Sequence, residues 1–208
     1  MFKWMTALTL LAQPLAADEA GDFDYYVMAL SWSPNWCDQE GRARNSPQCA
    51  PDADYGWVLH GLWPQYENGY PQDCQVAYTP PSRRQTAAMA DIMGTSGLAW
   101  YQWNKHGTCS GLSPQAYFTL ARDAYDSIAI PQAFRALTRD VTLPASLIEE
   151  AFIDKNPDLS PDGVTITCRS GAIQEARICL TKDLTPRDCG ADVVRDCTLQ
   201  SAAFGAIN

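Results

Sequence analysis

Two histidines occur in this 208-residue chain, and each sits inside a dense aromatic cluster. His60 lies in Trp57-Val58-Leu59-His60-Gly61-Leu62-Trp63-Pro64-Gln65, and His106 in Trp103-Asn104-Lys105-His106-Gly107-Thr108-Cys109. Imidazole is the side chain that switches between proton donor and acceptor near neutral pH. A cleavage that removes one proton and delivers another needs two such groups. It also needs a cation where negative charge accumulates, and Lys105 stands next to His106. This set suits a phosphodiester with a neighbouring hydroxyl, which is the linkage of RNA. There the 2′-hydroxyl attacks phosphorus and the 5′-oxygen leaves, without metal or covalent enzyme intermediate. DNA lacks the 2′-hydroxyl and is expected to be inert.

Blander readings compete with this one. A histidine can be a silent, hydrogen-bonded core residue, and Lys105 a solvated charge on a helix. Zinc is disfavoured, because two imidazoles need a third ligand and an open position. No HExxH-like spacing exists either, so no metal is expected. A cysteine nucleophile is disfavoured if the cysteines are oxidised. Trp63 can be core or a base-stacking platform. The same choice holds for Tyr66, Tyr70 and Tyr78 in the loop that follows.

The elements that must hold these groups begin after a leader. Lys3, the apolar stretch Met5 to Ala12 and the small residues around Ala16-Ala17 read as an export signal over residues 1–17. Its apolar run is too short to span a bilayer, and no later segment is long and apolar enough. Residues 18–208 then suit one domain with a sizeable core, acting as a monomer. The chain is expected to be exported, to a periplasm or the medium. Eight cysteines in an exported chain favour disulfides. About 105 pairings are possible. Proximity favours Cys37 with Cys49 and Cys179 with Cys189. The formal net charge of -9 argues against a protein that holds nucleic acid on a broad basic surface. It does not exclude an enzyme that grips a few nucleotides. A negative field stabilises imidazolium, so both histidines are expected to have raised pKa values.

Asp24 to Trp32 reads as a buried strand, with Tyr26, Met28 and Leu30 on one face and Tyr25, Val27 and Ala29 on the other. Tyr55 to Leu59 reads as a second, with His60 at its end. Trp63 to Pro81 reads as a long surface loop. Helices are expected over 85–93 and 98–106, the second ended by Gly107 as a C-cap, with Trp100 and Trp103 toward the core. Gln102 and His106 share a face of that helix. Ser113-Pro114 opens a helix to about Ile130. Residues 131–137 and 144–155 read as two more. Val164–Cys168 and Ile173–Leu180 form a hairpin around Arg169-Ser170-Gly171, and the tail is irregular. The mixture predicts an α+β fold, an antiparallel sheet packed with several helices. No glycine-rich loop opens a helix, so no nucleotide cofactor is expected.

At the two histidines the chain resembles the ribonuclease T2 family of exported, largely base-nonspecific endoribonucleases. His60-Gly61-Leu62-Trp63-Pro64 matches the first family signature, and Lys105-His106-Gly107-Thr108-Cys109 the heart of the second. Ala29-Leu30-Ser31-Trp32-Ser33-Pro34, followed by Cys37, is similar to the family's N-terminal strand. The resemblance implies cleavage of single-stranded RNA through a 2′,3′-cyclic phosphate to 3′-phosphate ends. It implies His106 as general base, His60 as general acid, Lys105 as the stabilising cation and Trp63 as the stacking residue. It also implies disulfides Cys37–Cys49, Cys74–Cys109, Cys168–Cys197 and Cys179–Cys189. Three positions depart from the pattern. A family Glu that assists at the phosphate is Gln102, which cannot carry a proton or a charge. A family His that binds phosphate is Tyr101. An Asp that follows the Trp-Pro pair is Gln65, in the base-binding region. The competing function is a T2-like protein that binds RNA with weakened catalysis.

Overall fold

The computed structural model describes residues 18–207, so the expected leader over residues 1–17 lies outside the described residues. The chain builds one mixed sheet with helices packed against it. The sheet comprises β1 (Tyr25–Trp32), β2 (Trp57–Gln65), β3 (Val141–Leu143), β4 (Val164–Arg169), β5 (Ala172–Leu180) and β6 (Ala202–Phe204), ordered β2-β1-β5-β6-β3 with β4 also on β5. All pairings are antiparallel except a single parallel bridge, Ala172 to Ala203, between β5 and β6. Among the described residues, seven α-helices complete the α+β architecture: α1 (Ser33–Trp36), α2 (Arg83–Ala87), α3 (Ala90–Met93), α4 (Ser96–Lys105), α5 (Pro114–Ser127), α6 (Gln132–Arg135) and α7 (Ser146–Lys155).

β1 has the two apolar faces that its sequence predicts, and they serve different purposes. Tyr26, Met28 and Leu30 enter the main core with Leu59, Leu62, Trp103, Tyr117 and Ile178. Tyr25 and Val27 form a smaller cluster on the opposite face with Cys179 and Val193, and Trp63 packs on it. Helices cover the first face, while His60 opens onto the second. The hairpin of β4 and β5 turns at Ser170-Gly171, both with positive φ (50° and 80°). That double left-handed pair matches the twist of a tight hairpin.

Several boundaries differ from the expectation. β2 does not end at Leu59 but continues to Gln65, taking Trp63 and Pro64 out of the predicted loop. Pro64 is tolerated because β2 is an edge strand, where a missing N–H breaks no second ladder. The helix expected over 85–93 is two short ones, split by a turn at Ala88-Met89. Ser82 opens the first with a full capping box to Gln85. Helical turns run from Ser33 to Gly41 and again over Pro47–Cys49. The tail is not wholly irregular. β6 pairs with β3, and Phe204 stacks on Trp32 with centroids 4.1 Å apart. Asn35 ties this strand down by donating to Ile173 and Ala203 carbonyls and accepting from Gly205 N–H.

Four disulfides join Cys37–Cys49, Cys74–Cys109, Cys168–Cys197 and Cys179–Cys189. The second closes on the segment that carries His106. With the Asp73 N–H donating to the Lys105 carbonyl, it straps the long loop to the end of α4.

Candidate active site

The position of His60 follows from an irregularity in β2. Ala29 of β1 faces Gly61, whereas Leu30 faces Leu59, so His60 is the extra residue of a β-bulge. Strict alternation would send His60 to the same side as Leu62. The bulge resets the parity. Leu59 and Leu62, three residues apart, both enter the core, and His60, Trp63 and Gln65 all reach one cleft on the opposite face. Gly61 is required there for space. A Cβ at Gly61 would stand 2.5 Å from Gln102 Oε1 and closer still to Trp63 Nε1.

α4 supplies the other wall. Thr95 caps it by accepting from the Leu98 N–H at 3.1 Å. Ala99, Gln102 and Trp103 face inward, and Trp100, expected in the core, is 44% exposed on the outer face. The helix ends with the His106 N–H on the Gln102 carbonyl at 3.0 Å. Gly107 is not a left-handed C-cap. It opens a 3-10 turn, and a Cβ there would meet Trp103 and Tyr117 at 2.7 and 3.0 Å. Its smallness lets the His106 turn sit against the core.

The cleft holds about 410 Å³ and gathers His60, Trp63, Gln65, Tyr101, Gln102, Lys105 and His106, all seven residues selected from the sequence. Tyr70 joins them, with its ring 6.1 Å from His106. Tyr66 packs against the core instead, and Tyr78 points its hydroxyl at the Gly111 carbonyl. Trp63 stands between the two imidazoles, 5.2 Å from His60 and 5.3 Å from His106 between ring centroids. Its N–H donates to Gln102 Oε1 at 2.7 Å, which fixes the indole plane. Gln102 is almost fully buried, so this contact also satisfies an otherwise costly amide oxygen. Gln65 is buried and makes no side-chain hydrogen bond among the described residues. Tyr101 is 54% exposed at the rim, with the Lys105 ammonium 6.0 Å from its ring centre.

The two histidines lie in opposite electrostatic settings. His60 Nδ1 donates to Glu175 Oε1 at 2.6 Å, leaving Nε2 as its working nitrogen. Glu175 is nearly fully buried on β5. Burial opposes its ionisation, but the hydrogen bond and charge of His60, followed by those of Arg177, hold its pKa at about 2. His106 is only 6% exposed, and its Nδ1 is buried without a hydrogen-bond partner. Burial first, then the charges of Lys105 and His60, push its pKa down to about 3. The expectation that the negative net charge raises both histidines is therefore overturned at His106. Desolvation and two nearby cations outweigh a diffuse, solvent-screened field.

Glu175 and Arg177 are the site residues that the sequence reading missed. They carry opposite charges two apart in an otherwise largely apolar strand, so one face of β5 must pair them. Ser31 of β1 faces Glu175, and Ala29 faces Arg177. These small residues let both long side chains extend across β1 toward β2. No cluster of three or more metal-ligating side chains occurs among the described residues. A larger concavity, about 770 Å³, continues from His60, Glu175 and Tyr101 past Leu98 and Gln48.

Comparison with known proteins places this arrangement. Residues 23–189 match the model of the ribonuclease T2 family. A ribonuclease of Aeromonas hydrophila is 46% identical over 108 residues, 52% of this chain and 47% of that protein. The ribonuclease T2 protein rnst-2 of Caenorhabditis elegans is 25% identical over 224 residues, covering 91% of this chain and 76% of its own. The chain spans about half the length of the first curated relatives it matches. Among solved structures, the fold is shared with an RNase-related protein from Calystegia sepium, at TM-score 0.70 and 19% identity over 89% of this chain and 98% of that one. It is shared also with RNase NT, solved in complex with 5′-AMP, at TM-score 0.66 and 24% identity over 89% and 99%. The family match runs from Phe23, two residues before the first strand, to Cys189 of the β5 disulfide, and the chain belongs to the ribonuclease T2 family.

Proposed function

We propose that the protein is an endoribonuclease that cleaves single-stranded RNA by transphosphorylation. The observation that carries this reading is the contrast between the two imidazoles flanking Trp63. A neutral, buried His106 is prepared to accept a proton. His60, held on an ionised carboxylate, is prepared to donate one. In the first step the 2′-oxygen bonds to phosphorus as His106 takes its proton. The bond from phosphorus to the 5′-oxygen breaks as His60 protonates that oxygen. The product is a 2′,3′-cyclic phosphate. Water then opens it with the roles reversed, leaving a 3′-phosphate. Lys105 stabilises the charge on the phosphorane. Trp63, with Tyr70 and the unpaired Gln65 amide, receives the base.

The cleft's electrostatics agree with an anionic substrate. Lys105, Arg177 and Arg195 line it against one carboxylate, Asp192, within a chain of net charge -9. Such local focusing steers an anion into a site on an acidic protein. All these groups act without a metal or cofactor. Four disulfides support export to an oxidising compartment, periplasmic or extracellular. Among the described residues no helix is long and apolar enough to cross a membrane. We read residues 18–208 as a single domain acting as a monomer, with a signal peptide before it.

The test is cleavage of single-stranded RNA in excess EDTA, with matched DNA and mass analysis of the ends. Fragments ending in cyclic or 3′-phosphate, with DNA intact, are expected. His60→Ala and His106→Ala are expected to abolish them. RNA bound but not cut by folded, oxidised protein would instead favour the binding-only reading, with Gln102 and Tyr101 as the disabling changes.

A further inference from the structure

We propose that Arg177 is a phosphate-binding residue, grasping the scissile phosphodiester alongside Lys105. The proposal rests on the endoribonuclease reading and names a group that neither histidine motif contains. Arg177 enters from β5, on the far side of β1 from His60. It lines the same cleft as His60, His106 and Lys105.

Its guanidinium is held from two directions. Nε and Nη2 donate to Glu175 Oε2 at 3.0 and 2.8 Å. The guanidinium carbon lies 5.6 Å from the centre of the Trp63 ring. Nη1 donates to no other group among the described residues. A planar fork with one edge committed and the remaining nitrogen free is pre-organised for an oxyanion. The row of the sheet explains how it reaches the site. Gly61, Ala29 and Arg177 face one another across β2, β1 and β5. The two small residues leave open the space that the arginine crosses toward Trp63.

The chemistry calls for such a group. A phosphodiester carries one negative charge, and the phosphorane carries more. Tyr101 and Gln102, the neighbours of Lys105 on the cleft wall, are both neutral. Glu175 serves two partners with separate oxygens, His60 on Oε1 and Arg177 on Oε2. One buried carboxylate thereby sets the acid and the anion-binding fork at adjacent positions. A purely structural Arg177 would require only its contact with Glu175, and its place in the cleft beside Lys105 would be incidental.

The experiment measures binding of 3′-AMP and of adenosine by calorimetry to wild type, Arg177→Gln and Arg177→Lys. Loss of a charged hydrogen bond to phosphate is expected to weaken 3′-AMP about 10- to 100-fold in Arg177→Gln. Adenosine affinity is expected to stay the same, and Arg177→Lys to fall between the two proteins. If Arg177→Gln does not fold, Arg177→Lys decides alone, with several-fold weaker 3′-AMP expected. Wild type that cleaves RNA while the variants keep full 3′-AMP affinity overturns the assignment of Arg177 and leaves the enzyme reading intact. Wild type that neither cleaves RNA nor binds 3′-AMP overturns both.

Discussion

Glu175 accepts the Nδ1–H of His60 at 2.6 Å, although the two residues stand on strands that do not pair with each other. β1 separates them, and Ser31 is the small residue in the gap, its hydroxyl 3.5 Å from the same carboxylate oxygen. The contact sets the imidazole tautomer and would offset the charge of His60 in the proposed role of acid. Glu175→Gln keeps the shape but loses the charge. It is expected to lower kcat by about 10²-fold, part of the contribution of a general acid. Single-turnover cleavage of a dinucleotide measures this, and an unchanged rate would refute the role.

The same carboxylate has a consequence for stability. Its folded pKa of about 2 lies below the usual value of 4.5. The stabilisation is therefore complete above about pH 4.5 and is lost as pH falls toward 2. Glu175→Ala would leave Arg177 without its partner, at a cost of about 3 kcal/mol for breaking a buried pair. Urea denaturation at neutral pH tests this. A change below about 1 kcal/mol would place the pair among weak surface contacts.

His106 follows the opposite chemistry with the same sign. Its folded pKa of about 3 lies below the ordinary 6.5, so the unfolded chain binds the proton first. Stability is full above pH 6.5 and declines as pH falls toward 3. His106→Gln is expected to remove about 2 kcal/mol of the wild-type loss between neutral pH and about pH 4.5. With His106 in the proposed role of base, the acid limb of kcat/KM is expected well below 6.5. A limb near 6.5 in the pH–rate profile would show that burial does not control this imidazole.

Gly61→Ala drives a methyl group into the bond between Trp63 and Gln102. Either the indole turns or the helix moves, and both disturb the cleft. The expected cost is about 1–3 kcal/mol, the range for overpacking a close-fitted site. Activity is expected to fall at least as steeply. Thermal unfolding measures the first effect, and initial rates of RNA cleavage the second.

Gln102→Glu introduces a carboxylate one helical turn before His106. A negative charge there favours imidazolium, so the acid limb is expected to move upward by about one unit. The indole N–H remains satisfied, because a carboxylate accepts as well as an amide. A pH–rate profile that does not move would mean that the new carboxyl stays protonated in its buried position.

Much of the local order was legible from residue types alone. The two faces of β1, the capped start of α5, the β4–β5 turn and the dense aromatic flanks of both histidines are patterns within a few residues of one another. Such patterns express backbone preference and periodicity, which act locally. The seven residues chosen for chemistry meet in one cleft because their motifs lie on β2 and at the end of α4. What the tertiary structure decided is how those motifs become electrostatically distinct. The bulge at His60 depends on the register between β1 and β2, and a run of Tyr55 to Leu59 with Pro64 beyond it read as a strand ending early. Glu175 lies 115 residues from His60 in sequence, and only the stacking of three strands brings them together. The depressed pKa of His106 has the same origin. Net charge can be counted in a sequence, but desolvation is set by which atoms surround the ring after folding.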